Sequence, residues 1–353
     1  MKVKRRRFFE EFAFEILSLY RIPGSIESLI LKQKLKTFFD FARINTLWEE
    51  FIAEAGHEKM AVLKTQSGEF QLLPLSKSPP CEVEGWLKKD FIKEDIALIY
   101  PWAIPEITPD LKAVILCGPF RNTYKSLNLI SEVPAFNLPL SLCEKIEGEF
   151  GKIVYKPERK RVKCSNIFVE FGKGPYTTVI ARIDALYGSF CASFSGFSML
   201  MWLYLVDTLS KDYKGPRRLR FVLLDCQSDN LAGANFHVRN LPKHTIDCIN
   251  LQGMSFGLPK IVYRDGAGFN SRSMIDAFES HSRDFGIEPE LIALPNELPD
   301  HAPFKKQGVQ TLWLNSALSI SAAGYDLFDS IIWENFWTNA ELLLSFLRRI
   351  HRF

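Results

Sequence analysis

The chain reads as an α/β protein with a mostly parallel, twisted sheet, helices on both faces of that sheet, and a small β-rich insert. Three observations predict this. From about residue 165 onward, β-branched runs alternate with helical segments, the pattern that sets parallel strands beneath covering helices. Between about residues 81 and 163, short apolar runs are separated by loops with no sustained helical period. The 353 residues are 47% hydrophobic and 24% charged, which suits a soluble chain with one large domain and a smaller one.

Phe9, Phe12, Ala13, Ile16 and Leu17 recur at helical spacing. Ser25 is placed to cap a second helix that ends near Ala42, and Trp48, Phe51 and Ile52 suggest a third. Strands are predicted over Met60–Lys64 and Phe70–Pro74, before a turn-rich break at Ser76–Pro80. The domain boundaries expected from this pattern are 1–75, a β-rich insert over 76–163, and the main α/β part over 164–353. Within the insert, Ile96–Tyr100, Ala113–Cys117 and Lys152–Tyr155 read as strands. After it come strands at Ile167–Phe171 and Thr177–Ala181, a buried helix over Gly196–Leu209, and strands at Leu219–Leu224 and Ile246–Leu251. An amphipathic helix over Ser273–Phe285, a short buried strand at Gln310–Leu314 and a closing helix over Ile331–Ile350 complete the series. In such folds ligands bind beyond the carboxyl ends of the strands, so the chemistry is expected in those loops.

The formal charge of +3 is too small to imply a nucleic-acid partner. The basic cluster Lys2, Lys4, Arg5, Arg6 and Arg7 admits two readings, a phosphate-binding arm or a solvated terminus, and the second is favoured. Glu10, Glu11 and Glu15 interrupt the apolar stretch that a secretion signal needs. They also weaken the case for a helix lying on a membrane surface. The most apolar run, Ser198 to Val206, is too short to span a bilayer. Seven scattered cysteines form no Cys-x-x-Cys pair, so a cytoplasmic protein with reduced thiols is expected.

Several segments resemble, in the same order, those of the clan MH zinc aminopeptidases (metallopeptidase family twenty-eight), whose relatives include glutaminyl cyclase, glutamate carboxypeptidase and the transferrin receptor. Arg21-Ile22-Pro23-Gly24-Ser25 is similar to their Arg-x-x-Gly-Ser opening, and the strand Thr178 to Asp184 to their strand ending in Ala-His-x-Asp. Ser195-Gly196 resembles the end of their Asn-Asp-Asn-Ala-Ser-Gly segment. Arg220 to Ala234 aligns without a gap to Arg-Phe-Val-Leu-Phe-Asp-Gly-Glu-Glu-Glu-Gly-Leu-Leu-Gly-Ser. Ile249-Asn250-Leu251-Gln252 is similar to Ile-Asn-Leu-Asp, and Asp300-His301-Ala302-Pro303-Phe304 to Ser-Asp-His-x-Pro-Phe. Tyr325 to Asp329 falls where Tyr-His-Thr-x-x-Asp belongs. The insert, through Ala113–Gly118 and Val133–Phe136, resembles the protease-associated domain of some relatives.

The resemblance implies the aminopeptidase fold and a pair of zinc ions that activate one water, with a glutamate taking its proton. Carried over position by position, the residues for that chemistry are missing. The His ligand position is Arg182, the bridging Asp position Ala192, and the general-base Glu position Gln227. The neighbouring Glu ligand is Ser228, the next Asp ligand Gln252 and the last His ligand Tyr325. A guanidinium repels a metal ion, and a glutamine can neither take a proton at neutral pH nor supply a charged ligand. The resemblance therefore implies zinc for the family and, in this chain, no cofactor.

Individual residues keep alternative readings. Arg182 either replaces the lost metal charge toward a ligand carboxylate or pairs internally with Asp184 or Asp300. Asp229 is one position from a rescuing ligand, yet an acid near a helix start already has a structural role. Asp300-His301 looks catalytic in isolation, but in the resembling family it shapes the pocket wall and opens a helix. Cys191 and Cys226 are expected to be buried thiols and not nucleophiles, and Trp313, Trp333 and Trp337 either pack the core or line a pocket. The function expected is a pseudo-peptidase that binds a peptide or protein through Arg182, Asp184, Asp229, Asp300, His301 and Tyr325, with Gln227 and Asp184 as vestigial catalytic positions. The alternative is a hydrolase with a rebuilt single-metal or metal-free site around Asp184, Asp225, Asp229, Asp300 and His301.

Overall fold

The computed structural model describes residues 2–19, 21–57, 60–74, 78–100, 111–117, 133–185, 195–227, 230–255, 257–295, 297–316 and 332–352. Helices α1 (Lys2–Leu17) and α2 (Ile26–Ala42) lead into β1 (Leu47–His57). Strands β2 (Ala61–Thr65), β3 (Gly68–Pro74), β4 (Cys81–Lys88), β5 (Ile96–Ile99), β6 (Ala113–Cys117) and β7 (Ala135–Leu138) follow, then α3 (Leu140–Ile146) and β8 (Phe150–Tyr155). The chain continues with β9 (Glu158–Phe171), β10 (Tyr176–Arg182), α4 (Phe197–Leu209), β11 (Arg218–Leu224), α5 (Ala232–Arg239) and β12 (Thr245–Gln252). It ends with β13 (Lys260–Asp265), β14 (Gly268–Phe269), α6 (Arg272–Asp284), β15 (Leu291–Leu294), α7 (Ala302–Lys306), β16 (Gln310–Asn315) and α8 (Trp333–His351). Among the described residues no helix is long and apolar enough to cross a membrane.

The described residues of 2–55, 161–316 and 332–352 form one compact unit and those of 56–160 the other. The first is built on a nine-stranded sheet ordered β1-β9-β11-β10-β12-β16-β13-β14, with β15 beside β13. Its centre is parallel: β10 pairs with both β11 and β12, and β12 pairs with β16. The flanks turn antiparallel where β9 meets β11 and β13 meets β16. Side chains alternate across this sheet as period-two geometry demands. Val179, Ala181, Phe221 and Leu223 face a core shared with α1, α2, α4, α6 and α8. Ile180, Val222 and Leu224 face the opposite side, against Ala234 of α5 and Phe304 of α7. The predicted α/β class, with a mainly parallel central sheet covered on both faces, is the class observed.

Two expectations are corrected. Trp48, Phe51 and Ile52 lie on β1 and not on a third helix. Phe51, Ala53 and Ala55 are buried while Ile52 is 64% exposed, so the period is two, and small alanines on the inner face hid it from a reading of large residues. The boundary expected at 75/76 falls near residue 56 instead. β2 pairs with β3 and β8, and β3 pairs with β7, closing a barrel ordered β2-β3-β7-β6-β5-β4-β8. The hairpin belongs there because Ala61, Leu63 and Leu72 complete the barrel core with Ile115, Phe136 and Ile153.

Ser25 caps α2 as predicted, its hydroxyl accepting from the Ser28 backbone N–H at 3.1 Å. At the far end of the chain, His351 is fully buried and its Nδ1 lies 2.8 Å from the Tyr213 hydroxyl. The hydroxyl donates to the Arg217 carbonyl at 2.5 Å, so the imidazole Nδ1–H donates to it. Burial, with the nearby Arg217 charge, lowers His351 from its ordinary 6.5 to about 4. The unfolded chain therefore binds this proton first. Stability is full above about pH 6.5, falls through the window down to about 4, and levels off below it. The expected loss is on the order of 3 kcal/mol. Urea unfolding across that window should show a flatter pH dependence for His351→Gln than for the parent chain; equal slopes would refute the assignment.

Candidate functional site

Strands β10, β11, β12 and β16 run in parallel with close registers, Arg182 opposite Leu224 and Gln252 opposite Asn315. Their carboxyl ends therefore open onto one edge. β10 lies between β11 and β12, so the strand order reverses beside it, which is where open α/β sheets place ligands. Ile183 and Ser195 are joined by the buried Arg21, whose Nε donates to the Ile183 carbonyl at 3.0 Å and Nη2 to the Ser195 hydroxyl at 2.9 Å. This is the structural use of the Arg-x-x-Gly-Ser segment.

Two polar clusters occupy that edge, and a third lies below it, toward the amino end of β16, because β13 runs antiparallel to β16. In the first, Arg182 Nη2 donates to Asp300 Oδ1 at 3.1 Å, and Arg182 Nε lies 3.7 Å from Asp184 Oδ1. The Gln252 amide donates to the other oxygen of Asp300 at 3.2 Å. Asp184, Asp300 and Gln252 are buried. In the second, buried Asp225 accepts from Lys32 Nζ of α2 at 2.6 Å and from the backbone N–H groups of Ser165 and Cys226 at 2.9 and 2.8 Å. Burial raises Asp225 above the ordinary carboxylate value, Lys32 pulls it back, and neighbouring Asp184 adds to the rise. An ammonium and two N–H donors around one carboxyl are the partners of an ionised group.

In the third cluster, His301 Nε2 donates to Asp265 at 3.0 Å, and its Nδ1 accepts from the Asn250 amide at 3.1 Å. Lys305 Nζ lies 2.9 Å from the same carboxylate, and the Asn270 amide also donates to it at 2.9 Å. Burial opposes ionisation of Asp265, but His301 and Lys305 together hold it at about 2. Burial pushes His301 below its ordinary value against the pull of Asp265. The histidine is thus neutral, the aspartate ionised, and Lys305 balances the charge. His301 also stands at the entry to α7, matching the helix-opening role expected of the Asp-His segment.

The turn after β11 is tight. Gln227 is buried, and its amide donates to the Asp225 carbonyl at 3.1 Å, while its Oε1 has no partner among the described residues. Cys226, Asn230 and Leu231 have φ near 55° (54°, 56° and 56°). The resembling family carries glycine where Cys226 and Asn230 stand. Asparagine tolerates this left-handed region, whereas a cysteine there carries a cost of about 1–2 kcal/mol.

Arg182, Asp184, Gln252 and Asp300 are therefore brought together, with Asp225 and Gln227 on the adjacent strand end. The His301 imidazole is fully buried below that edge, between Asn250 and Asp265. Ala192, Ser228, Asp229, Tyr325 and Cys191 lie outside the described residues. Cys226 is fully buried, as is Trp313, which packs its ring 5.7 Å from that of His301. Trp333 and Trp337 stack on each other at 6.1 Å within the helical core. Sequence reading missed Lys32 and Asp265. Lys32 had a signal, a lone cation on the stripe of α2 that buries Ser28, Leu31, Leu35 and Phe39. Asp265 had none, since its partners come from α7 and from the turn beyond β14.

This architecture is the zinc aminopeptidase fold. An aminopeptidase from Aneurinibacillus sp. strain AM-1 superposes with a TM-score of 0.69 at 16% identity, over 98% of this chain and 93% of that one. The zinc aminopeptidase BSAP from Bacillus subtilis gives 0.73 at 14% identity, over 97% and 94%. A glutaminyl cyclase from an Acidobacteriales bacterium gives 0.57 at 12%, over 98% and 94%. No family model matches the chain, and no curated protein matches it in sequence.

Zinc, which this likeness brings into question, does not fit the described residues. Arg182 places a guanidinium against Asp300, and Gln252 commits its amide nitrogen to the same carboxylate. A metal ion would have to displace the guanidinium to reach one oxygen of Asp300 and the amide to reach the other. Among the described residues no three His, Cys, Asp or Glu side chains are grouped to hold a metal.

Proposed function

We propose that this chain is a pseudo-peptidase, a non-catalytic protein on the aminopeptidase fold, that binds a peptide or protein at the carboxyl edge of its sheet. The observation that carries the reading is the Arg182–Asp300–Gln252 cluster, in which a cation and an amide stand at two positions where the resembling family holds metal ligands. The Gln227 side chain, at the general-base position, faces the Asp225 carbonyl through its amide and has no charge with which to take a proton. Asp225 and His301, the groups a rebuilt hydrolytic site would use, are each committed to a buried lysine or aspartate partner.

On this reading Arg182, held by Asp184 and Asp300, is the group that addresses a ligand carboxylate, His301 supports the segment behind Asp300, and Asp229 and Tyr325, outside the described residues, stay candidates by sequence position. The barrel is a protease-associated-like insert on the strength of the Ala113–Gly118 and Val133–Phe136 segments. A cytoplasmic location fits the free thiols of Cys81, Cys117, Cys143, Cys164, Cys226 and Cys248.

The protein is incubated with excess zinc, desalted, and its metal counted alongside an aminopeptidase assay on chromogenic aminoacyl substrates. The expected result is substoichiometric zinc and no turnover. Two zinc ions per chain with turnover would overturn the reading. One retained ion that Asp229→Ala releases would favour the rebuilt single-metal hydrolase. Binding itself is checked by passing a randomised peptide pool over the immobilised protein. A retained subset that Arg182→Leu no longer holds is expected, and retention unchanged by that substitution would remove Arg182 from the site.

A further inference from the structure

The basic N-terminal cluster, which the sheet-edge site does not use, helps to build a pocket of about 150 Å³ in the helical layer. Arg5 and Arg6 of α1, Tyr204 and Thr208 of α4, and Glu341 and Arg348 of α8 line it. Arg5 spends its Nη2 on Asp207 and on the Thr208 hydroxyl at 2.9 Å, leaving its Nε without an acceptor among the described residues. Asp207 is shared with Lys211 at 2.9 Å, so one carboxylate serves two cations. Arg348 reaches Asp212 at 3.0 Å. Arg6 lies 5.2 Å above the Trp337 ring, and among the described residues it has no ion-pair partner. Among the described residues three guanidinium groups, Arg5, Arg6 and Arg348, thus line the pocket against one carboxylate, Glu341, while Asp207, Asp212 and Glu10, which accepts from the Trp337 indole at 3.0 Å, stand around them.

A group that satisfies the three guanidinium groups carries negative charge and accepts hydrogen bonds. Guanidinium forks match the spacing of phosphate oxygens, and each such bond is charge-assisted. The Arg5 guanidinium is held 5.2 Å over Tyr204, as that of Arg6 is over Trp337. Less side-chain freedom is therefore lost on binding. The pocket is well below the roughly 300–1,000 Å³ of sites that enclose a whole small molecule, so it suits a phosphate group and not a nucleotide. We propose that this pocket binds the phosphate of a phosphomonoester or of a phosphorylated lipid headgroup.

The test is thermal unfolding in millimolar inorganic phosphate against sodium chloride of equal ionic strength. Phosphate is expected to raise the midpoint by about 2 °C more than chloride. The double variant Arg6→Gln, Arg348→Gln should lose that difference while keeping the parent midpoint in chloride, since Arg6 has no ion pair and Arg348 is more than one-third exposed. Equal effects of the two salts, or an undiminished phosphate effect in the variant, would overturn the proposal. Pelleting with phosphatidylcholine vesicles, with and without a phosphorylated phosphatidylinositol, separates the two sources. Pelleting only with the phosphorylated lipid, abolished in the variant, assigns the headgroup; a phosphate effect without pelleting assigns a soluble phosphomonoester.

Discussion

Replacing Lys32 by methionine is expected to cost about 3–5 kcal/mol of stability, because it leaves a carboxylate buried without its counter-ion. Asp225 is fully buried, and burial already raises it; the lysine at 2.6 Å offsets that cost. The pair joins α2 to the end of β11, so its loss should also loosen the turn that carries Gln227 and Asn230. Urea unfolding gives the measurement. The double variant Lys32→Met, Asp225→Asn should recover more than half of the loss, since an asparagine oxygen can still accept from the Ser165 or Cys226 N–H without leaving a charge. A single-variant loss below about 1 kcal/mol, the range of an exposed pair, would show that the contact does not hold the strand end.

Gly233→Ala should be the second large effect, and its sign is opposite to the usual one. In a helix, alanine gains about 1 kcal/mol over glycine. At this position an added Cβ would stand 2.1 Å from the Asp225 carbonyl oxygen, 2.6 Å from Asn166 Oδ1 and 2.7 Å from Gln227 Nε2. The first of these is backbone and cannot rotate away, so α5 must shift from the end of β11. A net loss of about 3 kcal/mol or more is expected, read from the same denaturation experiment. An unchanged or raised midpoint would mean that the helix can move without cost. The close approach gives the glycine at this position a reason of its own. It serves packing of helix against strand, independently of any metal.

Much of the fold was legible because it depends on period. The central strands of the main sheet are continuous apolar runs, as buried parallel strands are, and their helices carry wide apolar faces. β1 was misread because, among the described residues, alanines at positions 53 and 55 are two of its three buried ones. The hairpin of β2 and β3 was recognised as strands, but the sheet it joins is decided by pairing with β7 and β8, residues far along the chain. Nothing local records such a choice.

The site divides in the same way. Residue type alone determined that Arg182, Gln227 and Gln252 bring a cation and two amides where the resembling family needs an imidazole and two carboxylates. That conclusion needs no geometry, since a guanidinium does not deprotonate and an amide does not ionise. Which carboxylate Arg182 would pair with, that His301 would turn away from Asp300 toward Asp265, and that Lys32 would neutralise Asp225 were decided only by the tertiary structure. So was the gathering of Arg5, Arg6 and Arg348 around one pocket. Charge compensation acts over a few ångströms between segments remote in sequence, Lys32 with Asp225 and Arg182 with Asp300. A chain read in one dimension shows the charges but not the distances that pair them.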